Sequence, residues 1–198
     1  IIDEIHLFSS QSRKKIYGVC QRKYMLGLSA TPDENKDGLD AVNTWNCGPI
    51  LNAAALDGYS VEDIPFVGEV TTIKYHGHPE YTELLTNEAT EMVNHSGMIN
   101  QICEDPYRLR LVINLILELC GEDKNIFVFA DRREYLKQIK SHELLNRPDL
   151  VIMDLMGGAS ADDMDSAKKT AKVILTTYQF MGTGVSIPRM DALILATP

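Results

Sequence analysis

The chain has 198 residues, of which 28 are acidic and 19 are basic, and its formal net charge is −9. The acidic excess excludes a protein that coats nucleic acid by bulk electrostatic attraction, although a few local cations can still grip a short strand. No charged segment followed by an apolar stretch opens the sequence, and no apolar run is long enough to cross a bilayer, so we expect no membrane association. The hydrophobic fraction of 44% is enough to build a core in one or two domains.

The periodicity of apolar residues predicts secondary structure along the whole chain. In the first half we expect a strand end at Ile1-Ile2, a helix over 13–21, strands over 24–28 and 66–75, and helices over 39–45, 79–102 and 106–120. In the second half we expect strands over 126–130, 151–155, 172–177 and 192–196, with helices over 132–145 and after Gly157-Gly158. Strands that alternate with helices predict an α/β fold with a mostly parallel sheet. A change of unit is expected near residues 55–62.

Two polar motifs follow the first two predicted strands. Asp3-Glu4-Ile5-His6 comes directly after Ile1-Ile2, and Ser29-Ala30-Thr31-Pro32 follows the strand over 24–28. Ligands bind at the C-terminal edge of an open parallel sheet. An aspartate there can hold hydrated Mg²⁺, and a neighbouring glutamate can polarise a water for attack on a γ-phosphate. The pattern favours a nucleoside triphosphatase site; the alternatives are a charged turn for the acidic pair and a turn or helix cap for Ser29 and Thr31.

Two further patterns lie in the second half of the chain. Ile126-Phe127-Val128-Phe129-Ala130 runs into Asp131-Arg132-Arg133, and Val173-Ile174-Leu175-Thr176-Thr177 precedes Gly182-Thr183-Gly184-Val185-Ser186-Ile187-Pro188. Arg132 and Arg133 stand where a helix begins, and cations there oppose the helix dipole. An external anionic partner and an ordinary charged helix start are equally good explanations.

Taken in order, these patterns resemble motifs II, III, IV and V of superfamily 2 helicases of the DExH branch. The sequence is similar to the transcript-release helicases of poxviruses and other large DNA viruses, and to related phage recombination helicases. The resemblance implies RecA-like domains of the P-loop NTPase type. Residues 1–57 would be the C-terminal part of the ATP-binding domain, and residues 58–198 a nearly complete second domain that stops before motif VI.

The resemblance also implies roles for individual residues. Asp3 would hold Mg²⁺ through water, Glu4 would be the general base, and His6 would link the nucleotide site to the neighbouring motif. Ser29 and Thr31 would couple hydrolysis to strand movement. In the second domain the implied contacts are Gly184 and Ser186 to the nucleotide, and Arg132, Arg133 and Thr177 to the nucleic-acid backbone. Most relatives carry an aspartate in place of Ser186, whose hydroxyl can hydrogen-bond a ribose but brings no charge.

The function implied is that of a helicase that uses ATP and Mg²⁺ for translocation or strand separation on single-stranded DNA or RNA, without sequence preference. Such a protein would serve transcription, recombination or repair inside a cell, in the cytoplasm or nucleus or in a viral factory or virion. The 198 residues contain neither a G-x-x-x-x-G-K-[ST] phosphate loop nor an arginine-finger motif, so this part alone is expected to be inactive. The alternatives are a double-strand DNA translocase that does not unwind, and a catalytically inactive RecA-like scaffold or nucleic-acid-binding module.

Overall fold

The computed structural model describes residues 1–32, 38, 40–52, 68–87, 90–181 and 187–198. Its contacts divide the chain into two compact units, Ile1–Thr71 and Thr72–Pro198. The predicted boundary between residues 57 and 58 lies outside the described residues. None of the helices in the described part of the chain is both long and apolar enough to cross a membrane.

The first unit is built on two short parallel segments. Ile2 pairs with Gly27: the Ile2 amide donates to the Leu26 carbonyl at 2.8 Å, and the Leu28 amide donates to the Ile2 carbonyl at 2.8 Å. The helical parts are 3-10 turns at Ile5–Ser9 and Arg13–Lys15, helix α1 at Ile16–Val19 and helix α2 at Asp40–Cys47. The predicted helix over 13–21 is thus divided into a 3-10 turn and a four-residue α-helix that ends at Val19.

The second unit contains a four-stranded, all-parallel sheet. Its strands are β1 (Ile126–Ala130), β2 (Ile152–Leu155), β3 (Val173–Thr177) and β4 (Ala192–Leu195), in the order β2-β3-β1-β4. Val128 of the inner strand β1 lies opposite Leu175 of β3 on one side and opposite Ile194 of the edge strand β4 on the other. The predicted α/β class with a parallel sheet is confirmed. Because all strands run the same way, their C-terminal ends share one edge.

The helices of the second unit are α3 (Pro79–Thr82), α4 (His95–Glu104), α5 (Pro106–Gly121), α6 (Arg133–Ser141), α7 (Ala161–Thr170) and α8 (Tyr178–Met181), with a 3-10 turn at Glu143–Leu145. The start of α5 is encoded locally: the Asp105 carboxylate accepts from the amides of Tyr107 at 2.9 Å and Arg108 at 3.2 Å, and Pro106 occupies the first turn.

Apolar side chains cover both faces of the sheet. Val173 and Leu175 belong to one buried cluster, together with residues of α5 and α6, whereas Ile174 belongs to a second cluster with Ala167 of α7. Alternate residues of a strand point to opposite faces, so β3 is buried along its entire length. The sheet is therefore a fixed platform for the loops at its C-terminal edge.

Several predicted elements are wrong in detail. The predicted strand over 24–28 is reduced to an isolated bridge at Gly27, and the predicted helix over 132–145 ends at Ser141. Residues 68–75 form no strand. The predicted helix over 79–102 is split, because Thr86 pairs antiparallel with Val93 and the Asn94 side chain caps α4 by accepting from the Gly97 amide at 2.9 Å. The apolar residues of this region are spaced as on a helix, but they do not belong to the core, since Leu84 and Met92 are 65% and 70% exposed.

Candidate functional site

The acidic motif of the first unit lies beside the serine and threonine motif, where the two parallel segments end. The Ile5 amide donates to the Leu28 carbonyl at 2.9 Å, which joins the motifs through the backbone. Glu4 adopts a left-handed conformation, with φ 50° and ψ 48°. For a residue other than glycine this costs about 1–2 kcal/mol, and such strain is concentrated at functional sites.

A side-chain contact also connects the two motifs. His6 Nδ1 lies 2.8 Å from Ser29 Oγ, and the Thr31 amide donates to the same oxygen at 3.1 Å. The amide donates to Ser29 Oγ, and the serine hydroxyl and His6 Nδ1 share a second hydrogen bond, whose direction is set by the tautomer of the imidazole. Glu4 Oε2 is 3.4 Å from the same ring nitrogen. The structure thus brings together four predicted site residues, Glu4, His6, Ser29 and Thr31.

Asp3 is suited to a metal held through water. Its side chain is exposed, and Oδ1 accepts from the Glu4 amide at 2.9 Å, which orients the carboxylate. Within the described residues, no group of three or more His, Cys, Asp or Glu side chains could hold a metal directly. A single oriented carboxylate fits Mg²⁺, which keeps most of its water ligands and binds through one or two carboxylates.

Sequence analysis missed two buried polar residues that support the acidic motif. Asn43 of α2 donates from Nδ2 to the Ile5 carbonyl at 3.0 Å, and the Tyr17 hydroxyl donates to Asn43 Oδ1 at 2.7 Å. Burial raises the pKa of Tyr17 to about 12, so the phenol is protonated at neutral pH. The signal available in the sequence was weak: a poor helix former in the middle of a predicted helix.

The packing of this site leaves no space for a side chain at Gly27. A Cβ at this position would lie 2.8 Å from Cγ1 of Ile5, which is only 6% exposed. Real Cβ atoms essentially never approach so closely. The glycine of Leu26-Gly27-Leu28 therefore allows the acidic motif to pack directly on the neighbouring segment.

In the second unit, the predicted nucleic-acid residue Arg132 holds the structure together. Its Nε donates to Asn100 Oδ1 at 2.7 Å and its Nη2 to Ser96 Oγ at 2.8 Å, while Nη1 pairs with Asp131 Oδ2 at 2.5 Å. These contacts fasten α4 to the loop after β1. Most of the donors of Arg132 are used inside the protein.

Arg133, by contrast, is exposed and faces an open groove. The groove has a volume of about 600 Å³ and is lined by residues of α6, β2, the loop after β2 and α7. Its charged residues are Arg133, Lys137, Lys140, Asp154 and Asp163. Lys137 pairs with Glu134, and Lys140 pairs with Asp154. Arg133 has no ion pair within the described residues, and its guanidinium lies against Gly157, where an added Cβ would be 2.4 Å from Nη2.

The remaining predicted site residues are Thr177, Gly184 and Ser186. Thr177 ends β3 opposite Ala130 and is 7% exposed, so little of it faces solvent. Gly184 and Ser186 lie outside the described residues.

Comparison with known proteins shows that the chain is similar to proteins of large DNA viruses. It is 28% identical to a protein of African swine fever virus named "Putative ATP-dependent RNA helicase", over 218 residues that include the whole chain and 40% of the relative. A protein of the same description from Acanthamoeba polyphaga mimivirus is 31% identical over 207 residues, which include the whole chain and 37% of the relative. The chain thus spans about two fifths of the length of these relatives.

Two other comparisons add little. No known family model matches the chain. The crystal structure of T4 UvsW overlaps 52% of this chain and 22% of its own, with 19% sequence identity and a TM-score of 0.44, which is too slight to bear on the fold. The sequence similarity covers the whole chain, and the chain is thus similar throughout to proteins of large DNA viruses that are named putative ATP-dependent RNA helicases, in agreement with the resemblance to superfamily 2 helicases.

Proposed function

We propose that this chain is part of an ATP-dependent nucleic-acid helicase, and that its first unit contributes residues that hydrolyse ATP. The observation that carries the proposal is the His6 to Ser29 contact at 2.8 Å, which joins an acidic pair to a serine and threonine segment at the end of two parallel chain segments. The names of the viral relatives supply ATP as the nucleotide and nucleic acid as the partner. The activity belongs to the full-length protein.

In this proposal Glu4 is the general base. Its carboxylate polarises the water that attacks the γ-phosphate, and Asp3 holds Mg²⁺ through water. The ion would neutralise charge on the phosphates. His6 Nδ1 lies 3.4 Å from the Glu4 carboxylate and 2.8 Å from Ser29 Oγ, which also accepts from the Thr31 amide. Movement of the Glu4 side chain would therefore displace His6 and, through Ser29, the segment that contains Thr31. Movement of that segment would couple hydrolysis to strand movement.

Nucleic acid would bind to the second unit along the C-terminal edge of the sheet. Arg133 supports this because it is exposed, is the first residue of α6 and has no ion pair among the described residues. A guanidinium in that position can hold a backbone phosphate, which positions the strand without reading its sequence. Thr177 ends β3 at the same edge and would donate to a neighbouring phosphate once a strand is bound. The contacts of Arg132 favour a role in holding the edge together.

We also propose a domain assignment and further ligand contacts for this chain. Residues 1–57 would complete an ATP-binding RecA-like domain, and residues 58–198 would form most of the second. Gly184 would let the main chain approach the nucleotide, and the hydroxyl of Ser186 would hydrogen-bond its ribose. Single-stranded DNA or RNA would be bound with little sequence preference, in the service of transcription, recombination or repair.

The test of the hydrolytic site is Glu4→Gln in the full-length protein. The wild type should hydrolyse ATP faster in the presence of single-stranded nucleic acid, and the variant should lose on the order of 10²- to 10⁴-fold in kcat, the usual contribution of a general base. Glu143→Gln makes the same chemical change at an exposed position of the second unit and should leave the rate unchanged. A Glu4→Gln variant that hydrolyses ATP at the wild-type rate removes Glu4 from the role of base.

The test of the nucleic-acid surface is Arg133→Ala, measured by the salt dependence of single-strand binding. The variant should bind more weakly with all sequences, and its plot of log affinity against log salt should lose about one unit of slope. Arg147→Ala removes the same charge from an exposed arginine that pairs with Asp149, and it should leave the slope unchanged. Equal slopes for both variants would show that Arg133 contacts no phosphate. A strand-displacement assay on the same proteins separates unwinding from translocation.

A further inference from the structure

We propose that Asn43 is a positioning residue for ATP hydrolysis, and that Tyr17 sets the orientation of its amide. Asn43 would act by holding the Ile5 peptide, which lies between Glu4 and His6, and not by touching the nucleotide. The inference rests on the proposed function of the acidic motif.

The chemistry of the partners decides which way the Asn43 amide faces. Asn43 contacts the Ile5 carbonyl at 3.0 Å, and a carbonyl oxygen can only accept a hydrogen bond. The NH₂ group must therefore face Ile5, which leaves Oδ1 facing the Tyr17 hydroxyl at 2.7 Å. That hydroxyl must donate, and its raised pKa keeps it protonated.

The two bonds are buried and therefore hard to replace with water. Asn43 and Tyr17 are 7% and 8% exposed. A buried polar group that loses its partner stays desolvated with nothing to compensate for the lost hydrogen bond, which is unfavourable. Arg22 extends the connection because it donates to the Tyr17 carbonyl and to Asn46 Oδ1 of the same helix as Asn43, the latter at 2.7 Å. Arg22 thereby links Tyr17 of α1 to the last turn of α2.

Ile5, whose carbonyl is bound by Asn43, lies in the middle of the acidic motif. The Ile5 amide donates to the Leu28 carbonyl, and the Ile5 carbonyl accepts from Asn43, so both polar groups of this residue are fixed. Glu4, on one side, is in the left-handed conformation, which persists only when its surroundings impose it. His6, on the other side, must keep its ring 2.8 Å from Ser29. Loss of the Asn43 bond would free the segment to relax and would move both side chains.

The decisive variant is Tyr17→Phe, which keeps the ring and removes only the hydroxyl. In the full-length protein it should lower kcat for ATP about fivefold, the equivalent of one hydrogen bond, with the KM for ATP changed less than twofold. Asn43→Ala should lower kcat by ten- to a hundredfold, as expected when catalytic groups are misplaced. The matched controls are Tyr24→Phe, at an 84% exposed tyrosine, and Thr44→Ala, at the exposed residue next to Asn43. Both should behave as wild type.

Hydrogen exchange of the amides of residues 3–7 provides a readout that does not depend on hydrolysis. Tyr17→Phe should speed exchange there and leave exchange in β1 unchanged, whereas Tyr24→Phe should change neither. Unchanged exchange and unchanged kcat in Tyr17→Phe would overturn the inference while an active wild type still supports the proposed function. A wild-type protein without ATPase activity would overturn the proposed function, and the exchange result would then decide whether Asn43 holds this segment.

Discussion

Replacement of Gly27 by alanine should damage the acidic motif, although Gly27 lies outside it. The new Cβ would stand 2.8 Å from Ile5 Cγ1, 3.1 Å from Ile5 Cβ and 3.2 Å from Ile5 Cδ1. Carbon atoms in good contact are about 3.5–4.0 Å apart, so Ile5 must move by several tenths of an ångström. Because Ile5 is 6% exposed, it has little free space to enter.

The expected cost follows from these distances. Overpacking of a buried site lowers the free energy of unfolding by about 1–3 kcal/mol. Alanine also reduces the conformational entropy of the unfolded chain, which raises the free energy of unfolding by about 0.4–1 kcal/mol. The net loss expected for Gly27→Ala is thus at most about 2.6 kcal/mol, and about 1.3 kcal/mol at the centre of the two ranges. Gly18→Ala is the matched control, since Gly18 lies in α1 and nothing is within 4 Å of its added Cβ. There the same change should be neutral or stabilising by up to about 1 kcal/mol.

Hydrogen exchange with mass spectrometry, on peptides that cover residues 1–19 and 25–32, measures the opening free energy of this region. Gly27→Ala should exchange faster than Gly18→Ala, and its ATPase activity should fall because Ile5 lies between Glu4 and His6. The double variant Ile5→Ala with Gly27→Ala should be more stable than the sum of the two single effects, since removal of Cγ1 relieves the closest clash. Equal opening free energies for the two glycine variants would refute the proposed packing of Ile5 on Gly27.

Two further predictions concern the second unit. In a urea titration, Tyr75→Phe should lower the free energy of unfolding by about 1.5–3 kcal/mol, the range for a hydrogen bond to a charged group, because the Tyr75 hydroxyl donates to the buried carboxylate of Asp105 at 2.7 Å. The control Tyr107→Phe changes a tyrosine that is 71% exposed and should leave the free energy of unfolding unchanged; equal losses in the two variants would contradict the prediction. Burial raises the pKa of Cys103 to about 11, so at pH 8 this thiol is protonated and should react with a chromogenic disulfide reagent far more slowly than the exposed Cys20. Equal rates in the native protein would show that Cys103 is accessible as a thiolate.

The strands of the second unit were predictable because strands of a covered parallel sheet are continuous apolar runs between polar turns. Ile126–Ala130 has the predicted bounds, and the other three strands differ from prediction by one residue at one end. The start of α5 was also predictable, since Asp105 and Pro106 are local signals.

The region before α4 was mispredicted for a physical reason. Apolar spacing near Leu84 and Met92 fits a helix, but Glu91 takes a positive φ and Asn94 begins a new helix with its side chain. The sequence contains both signals, and only the pairing of Thr86 with Val93 decides between them. Secondary structure of this kind depends on contacts that a local window does not contain.

By itself, the sequence determined the parallel α/β class and the position of the polar motifs at strand ends, because periodicity and short motifs act over neighbouring residues. The tertiary structure alone decided which side chains meet: that His6 reaches Ser29 across 23 positions, that Asn43 supports Ile5 across 38, and that Arg132 turns inward while Arg133 faces a groove. Contacts between residues so distant along the chain depend on packing geometry and burial, which no local pattern of residues specifies.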